Sequence, residues 1–344
     1  MSSQHLPAKG VRNAGAALTL LAGLSLLAAR PAQAQYTLTS FDVGIGGATG
    51  TSLLGINNSG HLVGSYVDSS GVTHGFFGTT ASQTTVDGPA ALSSTTNPFA
   101  EVNQINNAGT YVGDFEATDA SGTDSPEGFT GSGGTVVPTT LANSAAFGIN
   151  NLGVSVGTVL SSNGTDFQSY SETGGVVTTF NVPGNATSRA TGINDSGVIV
   201  GQADMTTTTG PTVSYIKNGN AFTFLSLAGT GAVDNFATDI TTAGIIVGAF
   251  DTVANGPLTG FVDLGGTLTT ITFPSADSTE VDGINGLGEI VGTYTDANGT
   301  LHGFLGAPPP VPEASTTVSF GLLLALGLGG MALAAKRKKA HASA

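Results

Sequence analysis

The chain has 344 residues, 23 of them acidic and nine basic, with 52 glycines and neither cysteine nor tryptophan. The missing cysteine excludes disulfides and thiolate metal centres. A net charge of −14 makes nucleic acid and anionic lipid poor partners.

Residues 1–34 have the layout of a secretory signal: Lys9 and Arg12 in a charged start, an apolar stretch over 16–29, and the small-residue cleavage site Ala32-Gln33-Ala34. The mature chain is expected to begin at Gln35. Residues 36–43 then read as a strand.

From there one phrase recurs six times. It first reads Gly55-Ile56-Asn57-Asn58-Ser59-Gly60-His61-Leu62-Val63-Gly64 and returns over 104–113, 148–157, 192–201, 239–248 and 283–292. Its isoleucines are Ile56, Ile105, Ile149, Ile193, Ile240 and Ile284, and its asparagine fails only at Thr241. A spacing in the forties with strand-like content predicts the blades of a β-propeller. The fourth repeat shows the unit. Strands are expected over 190–194, 198–204, 212–217 and 221–227, with turns at Asn194-Asp195-Ser196-Gly197 and Asn218-Gly219. The third strand of each repeat carries a small residue before an aromatic: Gly75-Phe76, Gly128-Phe129, Ser169-Tyr170, Ser214-Tyr215, Gly260-Phe261 and Gly303-Phe304. Both marks are expected to serve packing, the aromatics between blades and the Val-Gly glycines by letting backbones approach.

The sixth repeat stops after its third strand, at 301–305, and residues 39–43 resemble the fourth strand of other repeats. The N-terminal strand is therefore expected to complete the sixth blade and remove an open edge. The fold class is all-β, a six-bladed propeller over 35–306. That domain holds 22 acidic residues against two cations, Arg189 and Lys217, a balance of −20.

Chemistry is sparse. Gly153-Val154-Ser155-Val156-Gly157 has the form of a hydrolase elbow but lies inside the third repeat, where strand, turn and helix are not expected. His74 and His302 occupy one slot in blades that closure makes neighbours, and hydrogen-bonded strand histidines are expected in preference to a metal pair. The stretch from Asp114 to Glu127 joins the second and third strands of the second blade and has no cation. Its Asp114, Glu116, Asp119, Asp124 and Glu127 are the candidate Ca²⁺ ligands, with a solvated acidic loop as the simpler expectation. No other cofactor is expected.

A Pro-rich linker over 307–316 holds Pro312 and Glu313. The uncharged run 317–335 is long enough to span a bilayer, and Lys336, Arg337, Lys338 and Lys339 in the tail 336–344 would hold its end in the cytoplasm. This order resembles the PEP-CTERM sorting signal of Gram-negative bacteria, with Ala314 in place of its second proline. The resemblance implies processing by a membrane protease, exosortase, and export linked to exopolysaccharide and biofilm matrix. The repeats resemble HAF-repeat extracellular proteins: Thr73-His74-Gly75-Phe76-Phe77 and Leu301-His302-Gly303-Phe304-Leu305 carry the second part of that motif, while Glu127, Gln168, Val213 and Thr259 replace its histidine elsewhere. This implies a secreted propeller and no particular activity.

The expected role is an exported, non-catalytic binding or structural protein at the cell surface or in the matrix, transiently held by one C-terminal helix. Its expected partners are an exosortase-type enzyme, exopolysaccharide and the membrane, with no nucleic acid. The alternative is a secreted carbohydrate-active enzyme using a carboxylate pair.

Overall fold

The computed structural model describes residues 35–310 except 95–97, 120, 186 and 205–210. The signal segment with Ala32 and Ala34, the motif Pro312-Glu313, the apolar run and the basic residues Lys336, Arg337, Lys338 and Lys339 lie outside the described residues. Among the described residues no helix is long and apolar enough to cross a membrane.

All regular structure among the described residues is β. After β1 (Thr37–Phe41) comes blade one, β2 (Gly50–Ile56), β3 (Leu62–Val67), β4 (Thr73–Gly78) and β5 (Gln83–Val86). Blade two is β6 (Ala100–Ile105), β7 (Tyr111–Thr118), β8 (Asp124–Ser132) and β9 (Thr135–Ala142). Blade three is β10 (Ser144–Ile149), β11 (Ser155–Leu160), β12 (Phe167–Thr173) and β13 (Val176–Phe180). Blade four is β14 (Ser188–Ile193), β15 (Ile199–Asp204), β16 (Thr212–Asn218) and β17 (Ala221–Phe224), within a few residues of expectation. Blade five is β18 (Asn235–Ile240), β19 (Ile245–Phe250), β20 (Thr259–Leu264) and β21 (Thr267–Ile271). Blade six is β22 (Ser278–Ile284), β23 (Ile290–Thr295) and β24 (Leu301–Ala307), completed by β1. Each sheet is an antiparallel meander, and the first strands contact one another in sequence and close the circle between β22 and β2.

The closing strand pairs with β24 from Thr37–Ala307 to Phe41–Gly303. Side chains reinforce it: Tyr36 donates to the Gly288 carbonyl at 3.1 Å, and Asp42 meets His302 Nδ1 at 3.0 Å. His302 also lies 3.7 Å from Asp296 and stacks on Tyr294. His74 repeats this within blade one, between Asp68 and Asp87 and stacked on Tyr66. The histidine slot is thus a clamp of each blade's outer strands, and the two histidines serve separate clamps.

The repeated phrase has a structural explanation. Asn57, Asn106, Asn150, Asn194 and Asn285 are buried. Each Oδ1 caps its own turn; Asn150, for example, accepts the amides of Leu152 and Val154. Each Nδ2 donates to the backbone carbonyl at the same position of the next blade: Asn57 to Asn106, Asn106 to Asn150, Asn150 to Asn194, Asn194 to Thr241, and Asn285 to Asn57, at 3.0–3.2 Å. Thr241 caps its turn through its hydroxyl. Being short of an amide, it leaves one gap in the girdle. The following turn glycines all have positive φ, Gly197 at 75°. L side chains are strained in that region.

The six third-strand aromatics are fully buried. The Val-Gly glycines do allow close approach, between the first two strands of one blade rather than between blades: a Cβ on Gly64 would lie 2.0 Å from the Ser52 carbonyl and 3.0 Å from the Phe76 ring.

Candidate functional site

The first strand of every blade lines the central channel. Counting back from the repeat isoleucine, the third residue (Leu53, Val102, Ala146, Ala190, Ala237, Val281) is apolar and buried between blades. The fourth is on the opposite side of the pleat and faces the channel. These residues form a ring: Ser52, Glu101, Ala145, Arg189, Phe236 and Glu280. The position two before the isoleucine varies as well (Leu54, Asn103, Phe147, Thr191, Thr238, Asp282), whereas the third residue back is apolar in all six.

A β-bulge follows in all six blades, shown by a register shift just before the residue preceding the isoleucine. An extra residue re-aims the chain. The residue before the isoleucine therefore also meets the axis, where the first strands nearly touch. It is glycine in four blades; a Cβ on Gly192 would lie 2.8 Å from the Asp239 Cα. The exceptions, Gln104 and Asp239, belong to opposite blades and bond across the channel, Gln104 Nε2 donating to Asp239 Oδ2 at 2.7 Å. The Ile240 and Ile284 amides also donate to Asp239. Gln104 and Asp239 form a plug that lines the pocket on the Gly-Ile-Asn side.

The pocket on the Gly-Ile-Asn side, about 400 Å³, is lined by turn asparagines already engaged in the girdle. The pocket on the opposite face, about 370 Å³, is lined by Arg189, Phe236 and Glu280 of the varied ring, with Thr187, Gln202, Asp204, Thr212 and Leu258 among its walls. Neither Arg189 nor Lys217 pairs with a carboxylate; every ion pair among the described residues involves His74 or His302.

Carboxylates gather along this channel. Glu101 accepts the Ser65 hydroxyl at 2.9 Å, and Thr293 donates to Asp282. Glu101, Glu280 and Asp282 keep some surface open to the channel, but protein encloses them, and loss of water disfavours the charged form. Burial, with the Glu101 charge adding, pushes Glu280 up to about 7. Burial and then Glu280 hold Asp282 well above the carboxylate range. Burial raises Asp239 to about 7 despite its three donors.

The acidic stretch is a hairpin rather than a loop. Its strands pair from Tyr111–Gly131 to Thr118–Asp124, leaving only a short turn. Asp114 is buried, accepts the Asn103 amide and is pushed to about 7 by burial and then by Glu101. Asp119 is spent on the turn, accepting the Ser121 hydroxyl and the Ser121 and Thr123 amides, which hold it below the usual range. Asp124 accepts from Thr118 and Ser94. By strand alternation Asp114, Glu116 and Asp124 share one face, and Glu127 lies on the other. Three of the five candidate Ca²⁺ ligands thus share a face, with Asp119 in the turn and Glu127 opposite, and no group of three or more His, Asp or Glu side chains among the described residues is arranged to hold a metal. Ser155 is buried at the start of β11, with no helix after it.

The signal for the ring was present in the sequence, in the residue four before each repeat isoleucine. So was the plug, in the two repeats that replace the leading glycine by Gln104 and Asp239. Neither could be recognised before the bulge showed which side chains reach the axis.

Fold and site together define a six-bladed β-propeller with a pocket lined by three of the varied residues, from blades four, five and six. No protein-family profile and no curated protein matches the chain. Among solved structures it is similar to the fucose-complexed lectin of Aleuria aurantia, at 14% identity over 78% of this chain and 99% of that one, TM-score 0.44. It is similar also to a protein of unknown function from Dyadobacter fermentans, at 8% identity over 78% and 96%, TM-score 0.48. A third is the propeller domain of the trilobed protease of Pyrococcus furiosus, at 8% identity over 78% and 99%, TM-score 0.44. The pocket is accordingly read from this chain's own residues.

Proposed function

We propose that this is an exported, non-catalytic, glycan-binding propeller of the cell surface or matrix. The observation that carries the reading is the ring's chemistry. Arg189 offers hydrogen-bond donors, Glu280 offers acceptors, and Phe236 stands between them in ring order as an apolar platform, all in one pocket. A sugar ring presents hydroxyls that both donate and accept at its edge and C–H groups on its face, so it needs this mixture. The chain's exit supports surface display. The last described residues follow β24, and Pro308 lies against Gly288 on the girdle face. The described chain thus ends on the face opposite the pocket. Sorting by the Pro312-Glu313 signal, with removal by an exosortase-type enzyme and association with exopolysaccharide, belongs to the same proposal.

A glycan array followed by calorimetry tests it. Oligosaccharide binding that Phe236→Ala abolishes, with the melting temperature kept, is expected; an array without hits overturns it. A second reading has one observation in its favour: Glu280, held near 7 beside Glu101, has the protonation of a general acid. Turnover of a bound glycan that Glu280→Gln abolishes would replace binding by hydrolysis.

A further inference from the structure

The pocket's charge distribution narrows the ligand class. Glu280 lines the cavity, is half-buried and has no hydrogen-bond or ion-pair partner among the described residues. Its charge is felt by Asp282 on the same strand, and both feel Glu101 from blade two. An enclosed carboxylate without a cation is costly to charge, and a ligand that brings positive charge is favoured beside Glu280. Arg189 does not cancel that charge, because it lies on the solvent-exposed side of the pocket, where water screens its own. The domain's balance of −20 draws cations in from a distance and repels anions. Phe236 adds an aromatic face, which suits a sugar ring and an adjacent ammonium alike.

We infer that the pocket takes an amino sugar with a free amine: its ammonium on Glu280, its ring on Phe236, and a hydroxyl on Arg189. This rests on the glycan-binding reading above. It points to a partly or fully deacetylated amino-sugar polymer as the matrix component.

The test is calorimetry on the full-length protein at pH 7.5 with four probes: a glucosamine hexamer with free amines, its fully N-acetylated counterpart, a neutral glucose hexamer and hexalysine. The expected result is at least tenfold tighter binding of the free-amine hexamer than of either other sugar, weakening as salt rises. Glu280→Gln should erase that preference while raising the melting temperature, since it removes an uncompensated half-buried charge and cannot be dismissed as misfolding. Equal binding of the three sugars overturns the amine inference and leaves the glycan reading standing. Binding of none of them overturns both. Hexalysine binding as tightly as the amino sugar, or a preference that survives Glu280→Gln, assigns the attraction to the acidic surface and overturns the inference.

Discussion

The two ends of the channel are built from the same six strands and are opposites in sequence. At the girdle end every blade repeats Ile-Asn with one exception, each asparagine is buried, and each side chain is consumed by its own turn and the next blade. At the far end, four residues upstream, six blades present five residue types, and Arg189 and Glu280 have no ion-pair partner among the described residues. Uniformity marks groups bonded to one another, which cannot change singly without leaving a buried polar atom unmet. Variety marks groups that face water, free to be chosen for a ligand.

The comparison can be broken most severely at closure. Deleting residues 35–43 removes the fourth strand of blade six together with the Tyr36 and Asp42 contacts. The expected loss exceeds about 4 kcal/mol in denaturant unfolding, because a whole ladder and its buried face disappear.

Within the girdle, Asn150→Ala removes the one acceptor that caps two turn amides and one bond between blades, and should cost about 3 kcal/mol. A melting temperature unchanged by this substitution would show that the repeated asparagine is not structural.

At the channel, pH separates the ends. Asp114, Asp239 and Glu280 have folded values raised to about 7, and Asp282 is held well above the usual carboxylate range. A raised folded pKa gives stability that is complete below the unfolded value near 4 and is lost as pH rises through 7. The protein should therefore be more stable at pH 5 than at pH 8, by at least about 2 kcal/mol. The carboxylates held low, Asp68, Asp119 and Asp296, act in the opposite sense only at more acid pH. Asp239→Asn should flatten the profile measured by thermal melting.

A smaller gain is expected where the girdle is open. Thr241→Asn supplies the missing amide toward Asn285 and should stabilise by about 1 kcal/mol. Least of all should stability respond at the varied ring: Arg189→Gln is expected to change it by less than about 0.5 kcal/mol while weakening glycan binding. A large loss of stability there would make Arg189 a structural residue and remove the contrast between the two ends.

Much of the architecture was readable before any fold. The 44-residue spacing of Ile149, Ile193 and their relatives, the Asn-Asp-Ser-Gly turn at 194–197 and the small-aromatic pairs all describe contacts between residues close in sequence. Hydrogen-bond ladders between consecutive strands have local signatures. Even β1 was legible, since 39–43 looks like a strand missing elsewhere. The acidic stretch misled because charge was taken for loop, whereas Asp114 is held in a ladder that pairing, not composition, decides.

What the sequence determined alone is the blade, its count and its closure, because each rests on neighbours in the chain or on a matching surplus and deficit. Only the tertiary structure decided which side chains share the axis. Gln104 and Asp239 are 135 residues apart and bond because closure sets blades two and five opposite each other. Arg189, Phe236 and Glu280 meet because a bulge fixes which face of each first strand looks inward. A one-residue change in that register would turn the ring into core, and no periodicity in the chain reports it.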